Sequence, residues 1–213
     1  MPPKLTSEKW EPRQKYHVAD FGCGLDAEKI IELAREHPDR HFLGITKVLS
    51  PKAVETAHKL GNLHLVEGNA TELVGRLHPS SLHGANADFF LNNLHGDERL
   101  KFLSALRAGM SPDASLHISH KRAYGQKLMD VVGKAGFVTS ESESIRGSVH
   151  HMTQAARDMA FMQDLLRQYR RYGNIQLILD SPRKQQLLRS VYEHLDKDPA
   201  DFEPMRFTAR LKD

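Results

Sequence analysis

Short apolar runs alternate with amphipathic stretches between residues 17 and 145. His17–Phe21 is a short run next to glycines, which predicts a strand. Residues 30–34 then carry apolar side chains on one helical face, and Pro38 stands just after the expected helix end. Further strands are predicted at 41–46, 63–66, 87–91, 114–119 and 137–145, with helices at 51–60, 71–77, 97–108 and 126–135. This alternation predicts an α/β fold, with a doubly wound and mostly parallel sheet.

Residues 147–203 break that rhythm. A long amphipathic helix is predicted from Met152 to Tyr172, a brief apolar run at Ile175–Leu179, and a second helix from Ser181 to about His194. Met205–Lys212 alternates apolar and polar residues, which predicts a seventh strand that returns beside the sixth.

The chain therefore divides into four parts. We expect a lead-in at 1–16, an α/β core at 17–146, a helical insertion at 147–203 and a final strand at 204–213 that completes the core sheet.

Composition indicates the type of cellular compartment but does not identify a function. The 213 residues carry a formal net charge of +3, which permits an anionic partner without requiring one. Cys23 is the single cysteine, so an intrachain disulfide is impossible, which suits a reducing compartment. No apolar run is long enough for a membrane helix, and the polar first fourteen residues lack the apolar core of a signal peptide. We expect a soluble, cytoplasmic protein with no membrane partner.

The sharpest motif is Asp20-Phe21-Gly22-Cys23-Gly24-Leu25-Asp26, between the first strand and the first helix. Glycines there let a ligand approach the backbone closely. A dinucleotide site would have a third glycine where Asp26 stands, and a carboxylate at a helix start would repel a pyrophosphate. The same carboxylate is compatible with a ligand that carries sulfonium and ammonium groups.

Residues 17–145 resemble class I methyltransferases, whose first motif is an acidic residue followed by Gly-x-Gly, as in Asp20, Gly22 and Gly24. The resemblance implies the Rossmann-like methyltransferase fold with an antiparallel last strand, and S-adenosylmethionine as cofactor. It implies that 17–146 is a Rossmann-like cofactor-binding core and that the insertion is a possible substrate or partner region. It implies that the Gly22-Cys23-Gly24 turn passes under the methionine part of the cofactor. It also implies that Asp20 holds the amino group of the cofactor, directly or through water.

Two positions depart from the family pattern. Thr46 stands where the family usually has an acid that binds the ribose hydroxyls, and one hydroxyl cannot clamp a diol as a carboxylate does. Asn69, followed by Ala70, stands where an aspartate often lies near the adenine amino group, although it retains an acceptor oxygen. These departures leave open a non-catalytic module on the same fold.

The segment after the fourth predicted strand is the expected place of the chemistry. Asn92 or Asn93 would accept a hydrogen bond from a target amine, as the strand-four residue does in amino methyltransferases. Alternatively, His95 would deprotonate a hydroxyl, since Leu94-His95 followed by Asp97-Glu98 is similar to small-molecule O-methyltransferases. A purely structural interpretation makes this a turn, with His95 in solvent and Asp97 capping the next helix.

We expect no metal site. His117 and His120 are three apart on a predicted strand and so face opposite sides, and His150-His151 have no further acidic or cysteine ligands nearby.

The insertion is basic and holds Arg167, Arg170, Arg171 and Tyr172 close together. Arginines contact phosphates and tyrosines stack on bases, which favours RNA, while a solvated helix face explains the same pattern. The second and third strand region is also similar in outline to tRNA (guanine-N7) methyltransferases, but their Pro-Asp-Pro-Trp signature is absent.

The sequence therefore favours an S-adenosylmethionine-dependent methyltransferase acting on nitrogen or oxygen of a small molecule or RNA. The alternative is a non-catalytic module that binds RNA or a protein partner. The sequence is silent on the oligomeric state.

Overall fold

A computed structural model of the chain describes residues 14–145, 154–175 and 182–212. The strands in these ranges are β1 (Val18–Phe21), β2 (Phe42–Thr46), β3 (Leu63–Glu67), β4 (Leu82–Asp88), β5 (Met110–Lys121), β6 (Phe137–Thr139), β7 (Glu143–Ser144) and β8 (Pro204–Leu211). The α-helices are α1 (Glu28–Glu36), α2 (Pro51–Leu60), α3 (Ala70–Val74), α4 (Asp97–Gly109), α5 (Gly125–Lys134), α6 (Gln154–Tyr172) and α7 (Pro182–Tyr192).

One mixed sheet organises these elements in the order β3-β2-β1-β4-β5-β8-β6, with β7 also paired to β8. β1 to β5 run parallel, whereas β8 lies antiparallel between β5 and β6. The doubly wound sheet and the returning last strand are both confirmed. Parallel strands connected through helices bring their carboxyl ends to one edge, which is where such sheets bind ligands.

Both faces of the sheet are covered by apolar helix faces. Phe21, Ile118 and Phe207 belong to the cluster that includes Phe102 of α4 and Val132 of α5. On the opposite face, α1 and α2 form a second cluster with β2 and β3. A third, smaller cluster joins α6, α7 and the 3-10 turn at Pro199–Phe202. The insertion thus has a small apolar core of its own.

Local signals fix the bounds of α2. The Ser50 hydroxyl accepts a hydrogen bond from the Ala53 amide at 3.2 Å, and Pro51 occupies the first helical position. Gly61 ends the helix with a φ of +72°, in the left-handed region that glycine adopts at no steric cost.

The fourth strand was placed wrongly by the sequence analysis. It runs over Leu82–Asp88 rather than 87–91, and the chain turns at Phe89 with a φ of +55°. The apolar run Ala87–Leu91 suggested a strand, whereas the strand itself contains Gly84 and Asn86. A Cβ at position 84 would lie 3.3 Å from the His17 carbonyl oxygen, which is a tight contact that favours glycine there.

The sixth predicted strand, 137–145, is two short strands instead. β6 pairs Thr139 with Ala209, and β7 pairs Glu143 with Arg206. The chain therefore advances four residues while its partner advances three, which is the offset of a bulge. Between the strands, the Ser140 hydroxyl accepts a hydrogen bond from the Thr208 amide at 3.0 Å.

Other element bounds differ modestly from the predictions. α3 is shorter than 71–77, and β5 extends beyond 114–119 at both ends. The predicted run at Ile175–Leu179 lies, after Ile175, outside the described residues, as does Ser181. Within the described ranges, no helix combines the length and apolar character needed to cross a membrane.

Candidate functional site

The glycine turn follows β1 at the carboxyl edge of the sheet. Gly22 and Gly24 have φ values of +78° and +82°, and both are exposed. The Gly22 amide donates to the Ile45 carbonyl at 2.7 Å, which ties the turn to β2. A Cβ on Gly22 would lie 3.0 Å from Cδ2 of Phe90, whereas one on Gly24 would meet nothing within 4 Å. Phe90 thus packs against Gly22, while the space in front of Gly24 is open.

Asp20 stands directly before that turn and is only 4% exposed. Among the described residues its carboxylate has no hydrogen-bond donor. Burial is the main cause that raises the pKa of Asp20 to about 7; Lys29 opposes the rise and the Asp88 carboxylate adds to it. A buried carboxylate without a donor is costly when ionised, so a cationic ligand group would stabilise it.

Asp88 ends β4 two strand positions beyond the register partner of Asp20, and its surroundings differ. Lys29 of α1 places its Nζ 2.6 Å from one Asp88 oxygen, and the Ser119 hydroxyl donates to the other. Burial alone would raise the pKa of Asp88, but the Lys29 ammonium and these two hydrogen bonds lower it below its usual value. Sequence reasoning missed this cluster, although Asp88 is the one acid in the run that ends β4.

The segment after Asp88 carries the predicted acceptor residues. Leu91–Asn93 forms a 3-10 turn, in which both polar side-chain atoms of Asn92 are buried without a partner in the described part of the chain. Such orphaned groups are rare in folded proteins and invite a ligand that supplies one donor and one acceptor. Asn93 and His95 are exposed.

The start of α4 differs from the structural interpretation offered above. Gly96, and not Asp97, is the capping residue, and the Glu98 carboxylate accepts from the His95 amide at 3.3 Å. The backbone of His95 is therefore fixed, while its imidazole faces solvent.

The second and third predicted cofactor positions, Thr46 and Asn69, lie at or just after the ends of neighbouring strands. Thr46 is half-buried and pairs in register with Glu67, which the sequence analysis did not single out. The Glu67 carboxylate accepts from the Leu49 amide at 3.0 Å and so holds the loop after β2. Glu67 ends β3 as its last residue, and that position is the signal that would have identified it.

Asn69 is the N-cap of α3, directly before the buried Ala70. Its Oδ1 accepts from the Thr71 amide at 3.0 Å, and its Nδ2 donates to Glu72 at 3.3 Å. The acceptor oxygen that the sequence analysis assigned to the adenine group is therefore engaged in the helix cap.

Comparisons with known proteins address the fold. No family model and no curated protein matches the sequence. A solved methyltransferase described as S-adenosylmethionine-dependent, from Archaeoglobus fulgidus, is similar with a TM-score of 0.54 at 14% identity, over 92% of this chain and 86% of that one. The 1,6-didemethyltoxoflavin-N1-methyltransferase of Burkholderia thailandensis, solved with S-adenosylhomocysteine, gives 0.57 at 16% identity, over 94% and 72%. The antibiotic-resistance methyltransferase Kmr gives 0.55 at 15% identity, over 96% and 94%.

The chain has the Rossmann-like methyltransferase fold. The strand order and the antiparallel last strand agree with that assignment. At these identities the likeness is one of fold, so the function is argued from the residues.

Within this methyltransferase fold, Cys23 is a packing residue. Its half-buried side chain adjoins the cluster of α1, α2 and β2. Burial, together with the nearby Asp20 carboxylate, raises the pKa of the Cys23 thiol well above its usual value. A thiol held in its protonated form is a poor nucleophile.

The histidines of β5 do not converge. His117 binds the Thr208 hydroxyl with its Nδ1 at 3.1 Å, while His120 packs on the ring of Phe207 on the opposite face. No cluster of three metal-ligating side chains occurs within the residues that the structure describes. His150 and His151 lie outside those residues.

The basic residues of the insertion gather at the end of α6. Arg167, Arg170, Arg171 and Tyr172 are all exposed there. Arg170 donates to the Lys197 carbonyl at 2.6 Å, and the Arg171 guanidinium lies 5.2 Å from the Tyr172 ring centroid. They form a solvent-facing basic surface, as both interpretations of the sequence require.

Proposed function

We propose that this chain is an S-adenosylmethionine-dependent methyltransferase, acting on nitrogen or oxygen of its acceptor. The observation that supports this best is Asp20: a buried carboxylate, which has no hydrogen-bond donor among the residues that the structure describes, stands beside an exposed glycine turn that leaves open space at Gly24. The cofactor has an ammonium group that would relieve the cost of ionising Asp20. The two related structures described as S-adenosylmethionine-dependent or solved with S-adenosylhomocysteine support this choice.

In this proposal, each group of the cofactor would bind at the carboxyl edge of the sheet. Asp20 would bind the amino group of the cofactor, and the Gly22-Cys23-Gly24 turn would lie under its methionine part. Thr46, with Glu67 beside it, would face the ribose, and Ala70 at the start of α3 would face the adenine. Asn69 would contribute indirectly, because it caps the helix that begins with Ala70. When bound, the cofactor supplies an electrophilic methyl group.

The protein mainly has to position the acceptor and remove its proton. Asn92 is the strongest candidate for positioning, because its amide holds a buried, unused donor and acceptor. Asn93 and His95 occupy the same segment, and His95 would serve as a base for a hydroxyl acceptor. The insertion, 147–203, would form the acceptor side, with Arg167, Arg170, Arg171 and Tyr172 available to an RNA acceptor. The single cysteine is in keeping with a cytoplasmic location.

Calorimetric titration with S-adenosylmethionine and S-adenosylhomocysteine tests the cofactor. We expect micromolar affinity for the wild type and at least about a hundredfold loss in Asp20→Asn, since a buried charge pair to the ammonium disappears. Affinity should also rise about fivefold from pH 6 to pH 7, because the ammonium binds ionised Asp20, whose pKa is about 7 when no ligand is bound, so that its ionised fraction rises from about one tenth to one half.

Asp26→Asn is the matched control, since Asp26 is an exposed carboxylate in the same loop. It should bind both ligands like the wild type. No heat at millimolar ligand would refute the proposal and favour a non-catalytic binding module. Equal losses in the two variants would show that loop charge, rather than Asp20, sets the affinity.

A further inference from the structure

A cavity outside the glycine turn is formed mainly by the insertion. It has a volume of about 600 Å³ and is lined by α6, α7 and the chain around Phe202, with Lys121 of β5 in its wall. That volume is typical of sites for small molecules. Met159, Met162 and Phe202 supply apolar walls, and methionine side chains adapt readily to the shape of a ligand.

Two of the charged side chains that line this cavity pair with each other, whereas a third has no counter-ion among the described residues. Arg183 and Asp158 neutralise each other, since the guanidinium Nε lies 3.1 Å from both carboxylate oxygens. Lys121 has no ion-pair or hydrogen-bond partner for its ammonium in the described ranges. The ammonium lies 5.4 Å from the centroid of the Phe202 ring, and burial lowers the pKa of Lys121. One cation in the wall is thus left without an anion.

His194 adds a second unsatisfied group. Its Nδ1 is buried and has no partner among the described residues, and its ring meets Phe202 edge-on with centroids 5.7 Å apart. Lys121 and His194 both line the cavity and both contact the same phenylalanine ring. Together they present an ammonium and an imidazole nitrogen beside apolar walls.

Lys121, in the wall of the cavity, is the last residue of β5 and so lies at the same edge of the sheet as the glycine turn. Lys121 follows Ser119 by two residues on the same strand face, about 6.6 Å further along, and Ser119 donates to Asp88. The hydrogen-bonded Asp158 carboxylate is the main cause that raises the pKa of Arg183, and Glu28, the first residue of α1, adds a smaller electrostatic contribution.

We propose that this cavity is the acceptor site, and that it takes a small molecule with an apolar body and one anionic group, either carboxylate or phosphate, bound by Lys121. This inference rests on the proposed methyl transfer. A lone pair on nitrogen or oxygen of that molecule forms the bond to the methyl carbon. The carbon–sulfur bond breaks, its electron pair stays on sulfur, and the acceptor proton leaves to a base or water.

Methyl NMR of the full chain with ¹³C-labelled methionines reads the cavity directly, because there are only seven methionines. Phenyl phosphate and phenylacetate are the anionic probes, phenylacetamide is the neutral probe, and a short RNA hairpin is the competing class. We expect both anions to shift the Met159 and Met162 signals while leaving Met110, at the far end of β5, unchanged. Met159→Leu and Met162→Leu assign the two signals.

Lys121→Met keeps the aliphatic stem and removes the charge, and Lys127→Met is the matched control on the exposed face of α5. We expect Lys121→Met to weaken both anions at least tenfold, Lys127→Met to leave them unchanged, and phenylacetamide to bind the wild type no better than the anions bind Lys121→Met. The affinities of phenyl phosphate and phenylacetate then show which of the two anionic groups the cavity prefers.

Anion binding that survives Lys121→Met, or a cavity that responds only to the RNA hairpin, would overturn the proposal. S-adenosylmethionine titration of the same samples separates it from the proposed function. Lys121→Met should bind that cofactor like the wild type. Anion binding in a protein that never binds the cofactor would retain the anion site but remove its role as an acceptor site.

Discussion

At the end of β1 the Asp20 carboxylate is buried and has no donor in the described part of the chain, whereas at the end of β4 both oxygens of Asp88 are hydrogen-bonded by Lys29 and Ser119. The two acids lie on the same face of the same sheet, and both are desolvated. Their pKa values nevertheless move in opposite directions, upward to about 7 for Asp20 and below the usual range for Asp88. Burial decides the first and nearby donors decide the second. The unsatisfied acid is the one that needs a ligand, and the satisfied acid is part of the framework.

The largest effect that tests this difference between Asp20 and Asp88 is expected in the pH dependence of the free energy of unfolding. The folded-state pKa of Asp20, raised from 3.8 to about 7, means that the native protein holds its proton more tightly than the unfolded chain does. The resulting stability is complete below about pH 4 and is lost as the pH rises through 7. A rise of about three pH units corresponds to roughly 4 kcal/mol. Asp20→Asn removes this loss, so the free energy of unfolding of the variant relative to wild type should increase by up to roughly 4 kcal/mol between pH 4 and pH 8.

Urea denaturation of both proteins across that pH range measures the difference directly. Asp26→Asn serves again as the control, and its difference from wild type should stay flat by comparison. The variant that gains stability at pH 8 is also the one expected to lose cofactor binding. A flat profile for Asp20→Asn would mean that Asp20 has a donor in solution, and the contrast with Asp88 would then fail.

The sequence analysis identified Asp20 as a candidate cofactor ligand because the features that mark it lie close together in the sequence. A strand, an acid, two glycines and a helix follow one another within about twenty residues, and the glycine turn has the left-handed φ values that such a pattern requires. The same holds for the cap of α2, where Ser50, Pro51 and Gly61 mark both ends.

The Asp88 side was missed because its partners are distant in sequence. Lys29 and Asp88 are 59 residues apart, and Ser119 is a further 31 residues along. No spacing rule connects them, since the register of β4 on β1 and β5 brings them together. Starting β4 five residues too late and ending it three residues too late also moved Asp88 from the strand end into its interior. The buried amide atoms of Asn92 and the Lys121 ammonium lack partners among the described residues, and this too can be recognised only when the tertiary structure is known.

The next largest effect probes the Asp88 cluster. Lys29→Met leaves the Asp88 carboxylate buried with only Ser119 as a donor, whereas Asp88→Asn leaves a lysine that is 35% exposed and can reach water. Breaking a buried pair costs several kcal/mol, but the exposure of Lys29 reduces this, so we expect a loss of about 2 kcal/mol for Lys29→Met. Asp88→Asn should cost less than Lys29→Met.

The double variant sharpens this test. Lys29→Met combined with Asp88→Asn removes the unpaired charge, so it should recover more than half of the stability lost in Lys29→Met alone. Thermal unfolding at pH 7.5 provides the comparison for all three variants. Additive losses would show that the two residues act independently and that Asp88 is not held by Lys29.

The smallest effect separates a helix cap from a ligand contact at Asn69. Asn69→Ala removes the acceptor for the Thr71 amide and should lower the free energy of unfolding by about 1 kcal/mol. Ser50→Ala removes the equivalent cap of α2, where Ala53 is the donor, and should cost a similar amount. Because the Asn69 oxygen is engaged by its own helix, cofactor affinity should fall less than tenfold in Asn69→Ala, in contrast to Asp20→Asn. A tenfold or larger loss for Asn69→Ala but not for Ser50→Ala would instead make Asn69 a direct ligand contact, and the oxygen would have to exchange the Thr71 amide for the cofactor.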